Sequence, residues 1–438
     1  MRRTLALAVV GAVAVAAGWV MPASSAPSPG VVAPRTATVS TSPATKDDGK
    51  GIQSMLDGRA KALLARNRQA FLAGVDEADP VFHAAQKALF DNLAGVSLAS
   101  YSLTLRTDRL GDLVRKADRE RFGAETHVYR VMEDLSIAGG YDPIPAREEI
   151  SFTFVRRNDS WKIAGDRQTD DLAIYSARHL WDFGPVISRA SAHFLVLFHS
   201  GQESGAAQGL ELAEQAYTQV AGRWALSMPD RVVLEIPGST EELRQRIQST
   251  FELSNFVAFT YSSVDTEQGW RESGVRILVN PSNFARYTPA SKRLIFAHEL
   301  GHVASRAVSG PFTPAFVEEA VGQVIGEGET GVGGGEILRA VRTGTFDGKL
   351  PEDWQFVVVD SGRVRLSYQE AYEFGRYLEQ TAGKGSLVRF YTTLTREAAL
   401  AAGTWRYHLD RALREVTGLS TTAFESRWAA EVRRQAGT

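Results

Sequence analysis

Cysteine is absent from this 438-residue chain. That excludes disulfides, thiolate metal sites and cysteine nucleophiles, and leaves histidine and carboxylate as the only strong metal ligands. An excess of charge of one sign is missing too: 49 Lys+Arg stand against 51 Asp+Glu, a formal net charge of −2. No run of Lys/Arg exceeds two residues, so no electrostatic footprint for nucleic acid exists and none is expected as a partner. Internal repeats at solenoid periods are lacking as well. Histidine is scarce, with eight in all, which makes any clustering of it informative. What remains is ordinary globular material, 44% apolar and 23% charged, in a chain long enough for more than one domain.

The N-terminus opens on Arg2 and Arg3, followed by the uncharged apolar run TLALAVVGAVAVAAGWV and then PASSAPSP. A positive start, an apolar stretch and small residues between Ala23 and Ala26 suit a secretory signal peptide over residues 1–26. The apolar run approaches the ~17–25 residues that span a bilayer, so an uncleaved anchor is the alternative and the only route to a membrane. In both cases the arginines stay inside and the rest of the chain is exported. The Ala-, Arg- and Gly-rich composition associates with high-GC bacteria, so bacterial secretion is the expectation. Residues 27–50, rich in Pro, Ser, Thr and Ala without periodicity, read as a flexible linker.

From Gly51 the pattern becomes periodic. MLDGRAKALLARNRQAFLAGV suits one amphipathic helix and DPVFHAAQKALFDNL a second. ASYSLTL, THVYRVMEDLSI and EEISFTFVRR alternate as strands, and NDSWKIAGD closes a hairpin. Helices followed by an antiparallel meander predict an α+β module over residues 51–170. Chiefly through FVRRNDSWKIAGD, this part resembles the cone-shaped NTF2-like fold, which implies a binding or packing module. Its sequence displays no polar constellation that would make it catalytic. A connector leads to residues 185–435, where HFLVLF, DRVVLEI and GVRILVNP read as strands and the remainder is mostly helical.

The chemistry is concentrated in TPASKRLIFAHELGHVASRA, where Thr288 suits an N-cap and Pro289 the first helical position. His298, Glu299 and His302 fit H-E-x-x-H. On a helix, residues i and i+4 are offset by ~40° and rise ~6 Å, so both imidazoles leave one face and can share a Zn²⁺ ion. Glu299, ~100° around from His298, stands where a general base belongs. Zinc catalysis wants a third protein ligand and an open position. PFTPAFVEEAVGQVIG supplies Glu318 and Glu319 on a helix beginning near Pro314, and periodicity does not choose between them.

HELGH followed after sixteen residues by the second glutamate of PAFVEEAVG resembles the gluzincin superfamily of zinc metallopeptidases. The nearest pattern is that of bacterial members carrying a P-x-W-L-x-E-G-L-A helix. On it Phe316 stands at Trp, Ala320 at Gly, and Glu319 at the metal-binding glutamate, with Glu318 the fallback. SYQEAYEFGRYLEQTAG is similar to the downstream helix of that group, and Tyr368 is the position the resemblance turns towards the cleft as oxyanion donor, with Tyr372 next. The remaining histidines read as surface or satisfied structural groups, and GEGETGVGGGE as a loop. The expectation is a two-domain α+β protein: an NTF2-like module, then a zincin-like, mostly helical metallopeptidase domain with a small sheet. Its expected function is a secreted peptidase using Zn²⁺ on His298, His302 and Glu319, with Glu299 as base and a peptide or protein as substrate. The rival is an exported binding or scaffold protein with a peptidase-like domain that has lost turnover.

Overall fold

A computed structural model describes residues 11–12, 46–107, 111–248, 253, 256–265, 271–310, 313–328, 335–356, 358, 360–396 and 405–437. Apart from Gly11 and Ala12, the leader lies outside them, as does the linker as far as Thr45 and residues 329–334 of the glycine-rich stretch. Among the described residues, no helix is long and apolar enough to cross a membrane. The chain divides into two compact units, one of Ala17–Ile187 with Gln245–Gln248, the other of Met1–Ala16, Ser188–Arg244 and Ser249–Thr438. Helix outweighs strand, 53% against 19%, with a sheet in the N-terminal part and a helical region at the C-terminal end, so the class is α+β. The first strand, β1 (Gly11–Ala12), pairs in the sheet of the second unit.

In the first unit the single helix expected from Met55 to Val75 is two. α1 (Lys46–Leu64) begins before the composition change at Gly51, and α2 (Arg68–Ala73) follows a break. Arg66 adopts φ 54°, which ends α1, and the Asn67 side chain accepts from Ala70 N to start α2. Periodicity runs on through that break because Leu63 and Phe71 are both buried. α3 (Pro80–Asn92) has the cap its sequence promises: Asp79 accepts from Val81 N and Phe82 N, with Pro80 in the first turn. Next come β2 (Leu98–Arg106), α4 (Lys116–Phe122), β3 (Thr126–Ile137), β4 (Ala146–Arg157) and β5 (Ser160–Gly165), the strands antiparallel in the order β2-β3-β4-β5. Asn158 and Asp159, at φ 46° and 60°, make the tight β4–β5 turn, whose positive φ at both positions matches strand twist. Leu103, Tyr129, Val131, Ile150, Phe152 and Phe154 line one face of this sheet and close on Ile52 and Leu56 of α1.

The same face carries a buried polar network that the sequence does not reveal. Glu133 and Glu148 lie directly opposite one another on β3 and β4. Facing like charges repel. Here His179 Nε2 is 2.6 Å from Glu133 Oε2, and Arg246 Nη1 is 3.4 Å from Glu148 Oε1. The His179 ring stacks on Trp181 with centroids 4.6 Å apart. His127, His193 and His199 each meet a carboxylate as well, at 2.7, 2.7 and 2.8 Å.

The second unit is built on a mixed sheet in the order β1-β9-β10-β8-β7-β6, larger than the small sheet expected. Its elements begin with β6 (Ile187–Ala190), β7 (Phe194–Phe198), α5 (Glu203–Ala221), β8 (Val232–Ile236), α6 (Thr240–Ile247), β9 (Ala258–Asp265) and β10 (Arg271–Val279). β7, β8 and β10 are parallel, and β9 returns antiparallel to β10. Phe194, Val196, Val232, Leu234 and Ile277 are buried, as central parallel strands must be. After α7 (Pro281–Phe284), α8 (Pro289–Arg306) shares this core through Ile295, Phe296, Leu300 and Val303. α9 (Ala315–Ala320) continues into a wider, π-type turn, Val321–Glu327. α10 (Gly335–Arg342), α11 (Ser361–Ala382), α12 (Ser386–Thr395), α13 (Trp405–Thr417) and α14 (Thr421–Gln435) complete the helical part.

Candidate metal centre

α8 starts as its sequence implies, with the Thr288 hydroxyl accepting from Ser291 N and Pro289 in the first turn. From Ile295 onwards the helix is buried all round, and His298, Glu299 and His302 have no exposed surface. Burying three titratable groups is costly unless each meets a partner. The two imidazoles meet each other: His302 Nε2 lies 3.1 Å from His298 Nε2. Glu319 Oε2 lies 3.2 Å from the first of these nitrogens' partners, His298 Nε2, and 3.7 Å from His302 Nε2. Atoms bonded to one tetrahedral ion at about 2.0–2.2 Å sit about 3.3–3.6 Å apart. The three ligating atoms therefore fit a Zn²⁺-sized cation without large rearrangement. They form the one His/Cys/Asp/Glu group suited to a metal among the described residues.

Glycine makes the approach of Glu319 possible. A Cβ on Gly301 would lie 2.9 Å from Gly322 Cα, and one on Gly326 would lie 2.3 Å from the Ala297 carbonyl oxygen. A Cβ on Gly322 would come within 2.7 Å of His298 Nε2. α8 and the wide turn thus pack backbone against backbone, closer than any side chain would permit. Turns of this kind add a residue per turn and recur at functional sites. This one carries Glu327 back against α8, where its Oε1 lies 2.8 Å from His298 Nδ1.

Of the two adjacent glutamates, Glu319 faces the imidazoles. Glu318 turns away, with Oε1 accepting from the Tyr391 hydroxyl at 2.6 Å and Oε2 3.3 Å from Ser305 Oγ. Glu299 is held from the sheet: Thr260 Oγ1 on β9 is 2.9 Å from its Oε2 and 3.0 Å from its carbonyl oxygen. Its other carboxylate oxygen, Oε1, is buried without a protein partner, as is His302 Nδ1. An orphaned buried oxygen on the residue next to His298 is one that a water would complete.

Burial is the largest single influence on His298, Glu299 and His302. It pushes Glu299 up to about 8, despite the opposing charge of His298. It drives His302 well below its ordinary value, reinforced by the charges of His298 and Arg306. For His298 burial acts downwards, but the bonds from Glu319 and Glu327 outweigh it and raise the imidazole to about 10. Without a cation, then, Glu319 and Glu327 favour a proton on His298. A cation would take its place.

Tyr368 is placed differently from the other expected residues. It is buried on α11 in the apolar cluster, its ring edge-on to Phe356 at a centroid distance of 5.4 Å. Sequence reasoning missed Glu327, Thr260 and Tyr391. The Gly322-x-x-x-Gly326 spacing was the signal available for the close turn that delivers Glu327. Thr260 and Tyr391 carry no local signal, since only the folded chain brings them to α8. No family model matches this chain, and neither a curated protein nor a solved structure does.

Proposed function

We propose that this chain is a metal-dependent hydrolase, and more particularly an exported zinc peptidase acting on peptide or protein substrates. The observation that carries this reading is the unpartnered, buried Glu299 carboxylate oxygen beside three mutually facing ligand atoms. A purely structural zinc site closes its coordination with protein ligands and has no use for a spare carboxylate. His298, His302 and Glu319 would hold the ion. When bound, Zn²⁺ supplies Lewis acidity, making a water acidic near neutral pH and polarising a carbonyl.

The chain's own residues do the rest. Thr260 fixes Glu299 through a hydrogen bond to Oε2, leaving Oε1 to accept the proton of the attacking water. A carboxylate whose affinity for protons is raised by burial is suited to take that proton and return it to the leaving amine. Glu327 orients His298 from its Nδ1 side. Tyr368 as oxyanion donor rests on the gluzincin resemblance. Export rests on the Arg2–Arg3 and apolar leader pattern, and the NTF2-like reading of the first unit on its FVRRNDSWKIAGD hairpin. The test is elemental analysis with a protease assay. The expected result is one zinc per chain and activity lost to a chelator and restored by Zn²⁺; a chain purified without zinc that takes none up would refute the proposal.

A further inference from the structure

We propose that Glu318 is a positioning residue: clamped by Tyr391 and Ser305, it sets the rotation of α9 so that Glu319, and not Glu318 itself, meets the imidazoles. The inference rests on the zinc reading above and concerns how this chain selects its third ligand.

α9 spans six residues and has no side-chain N-cap. It runs on into the wide turn, and internal bonds hold such a segment together but leave its rotation about its own axis to tertiary contacts. Adjacent residues point ~100° apart, so only one of two neighbouring glutamates can face His298 and His302. Something outside α9 must choose.

Glu318 is 3% exposed, and its carboxylate joins three helices. Tyr391 on α12 donates to Oε1 at 2.6 Å. Ser305 Oγ on α8 lies 3.3 Å from Oε2 and 3.0 Å from the His302 carbonyl oxygen. Ser305 therefore connects the clamp to the turn of α8 that bears a metal ligand. Arg306, the next residue, is a buried counter-charge whose Nε lies 3.2 Å from Glu272 Oε2 on β10. Glu272 in turn accepts from Ser262 Oγ at 2.6 Å. With both Glu318 oxygens engaged, rotating α9 to bring it inward would break these bonds inside a dry interior, where unmade bonds are expensive. Glu319 keeps its Oε2 at 3.2 and 3.7 Å from the two Nε2 atoms.

The test is titration of the full chain with Zn²⁺ against a chromophoric chelator and with Co²⁺ by visible absorption. Wild type is compared with Tyr391→Phe, Ser305→Ala, Glu318→Gln and Glu319→Gln, each checked for folding by circular dichroism. Outer partners of ligands typically contribute 10–100-fold in affinity. Tyr391→Phe and Glu318→Gln are expected to weaken Zn²⁺ binding by about tenfold or more and to alter the Co²⁺ spectrum, with Ser305→Ala smaller in the same direction. Glu319→Gln is expected to abolish tight binding. Wild-type affinity and spectrum in folded Tyr391→Phe and Ser305→Ala would overturn the clamp while leaving the zinc reading intact. Loss of binding in Glu318→Gln with retention in Glu319→Gln would overturn it too, making Glu318 the ligand. A wild-type chain that binds neither ion would remove the zinc reading, and the clamp with it.

Discussion

Glu327 Oε1 lies 2.8 Å from His298 Nδ1, on the opposite ring nitrogen from the one that faces Glu319. The carboxylate fixes the ring and its tautomer, leaving Nε2 free to ligate. Glu327→Ala should weaken zinc binding by about 10–100-fold while leaving the helix content unchanged. Competition with a chelator measures this, and unchanged affinity would show that Glu327 does not orient the ring.

The backbone contact between α8 and the wide turn makes a sharper demand on Gly322. A methyl group there would lie 2.7 Å from His298 Nε2. Gly322→Ala should therefore displace the imidazole, cost about 1–3 kcal/mol of stability from overpacking and abolish tight zinc binding. A Gly322→Ala protein that retains wild-type affinity would mean the turn yields easily.

Thr260 should affect rate more than binding. Thr260→Val keeps the side-chain shape but removes the hydrogen bond to Glu299 Oε2. A hydrogen bond to a charged group contributes about 1.5 kcal/mol or more, so kcat should fall roughly tenfold. KM and zinc affinity should hold, and Thr260→Ser should recover most of the rate. A parallel loss of zinc affinity would assign Thr260 to the fold instead of to the base.

The first unit should show its own pH dependence. Burial acts to lower His179, but the charge and hydrogen bond of Glu133 outweigh it and raise the imidazole above its ordinary 6.5. Glu133 is lowered from 4.5, its burial offset by His179 first and then by Tyr101. The raised histidine adds stability that is complete below 6.5 and lost as pH rises through its folded value. The lowered glutamate adds stability present above 4.5 and lost as pH falls. The difference in thermal midpoint between wild type and Glu133→Gln should thus peak between these two values and narrow at higher pH. A difference that grew with pH would contradict the pairing.

Much of this arrangement could be read before folding. α8 was legible because its cap, Thr288 and Pro289, and its apolar positions agree, and because two histidines four apart must share a face. Periodicity did not choose the third candidate, since Glu318 and Glu319 flank one apolar stripe equally; only the gluzincin resemblance pointed to Glu319, which faces the imidazoles while Tyr391, distant in sequence, holds Glu318. Glu327 was hidden in a stretch whose glycines suggested a loop, though Gly322 and Gly326 serve close packing instead. β9 has no sequence signature, because Ala258, Phe259 and Thr260 are all buried and no alternation marks the strand. In the first unit, the break at Arg66 and the Glu133–His179 pair depend on contacts that one-dimensional periodicity does not encode.

The central claim is that Glu299 acts as a base beside a zinc ion, and Glu299→Gln tests it most directly. Both wild type and variant should carry one zinc per chain, and the variant should cleave an unfolded protein substrate at least about 100-fold more slowly. A variant that cuts at the wild-type rate, or a wild-type chain that holds no zinc, would contradict the account.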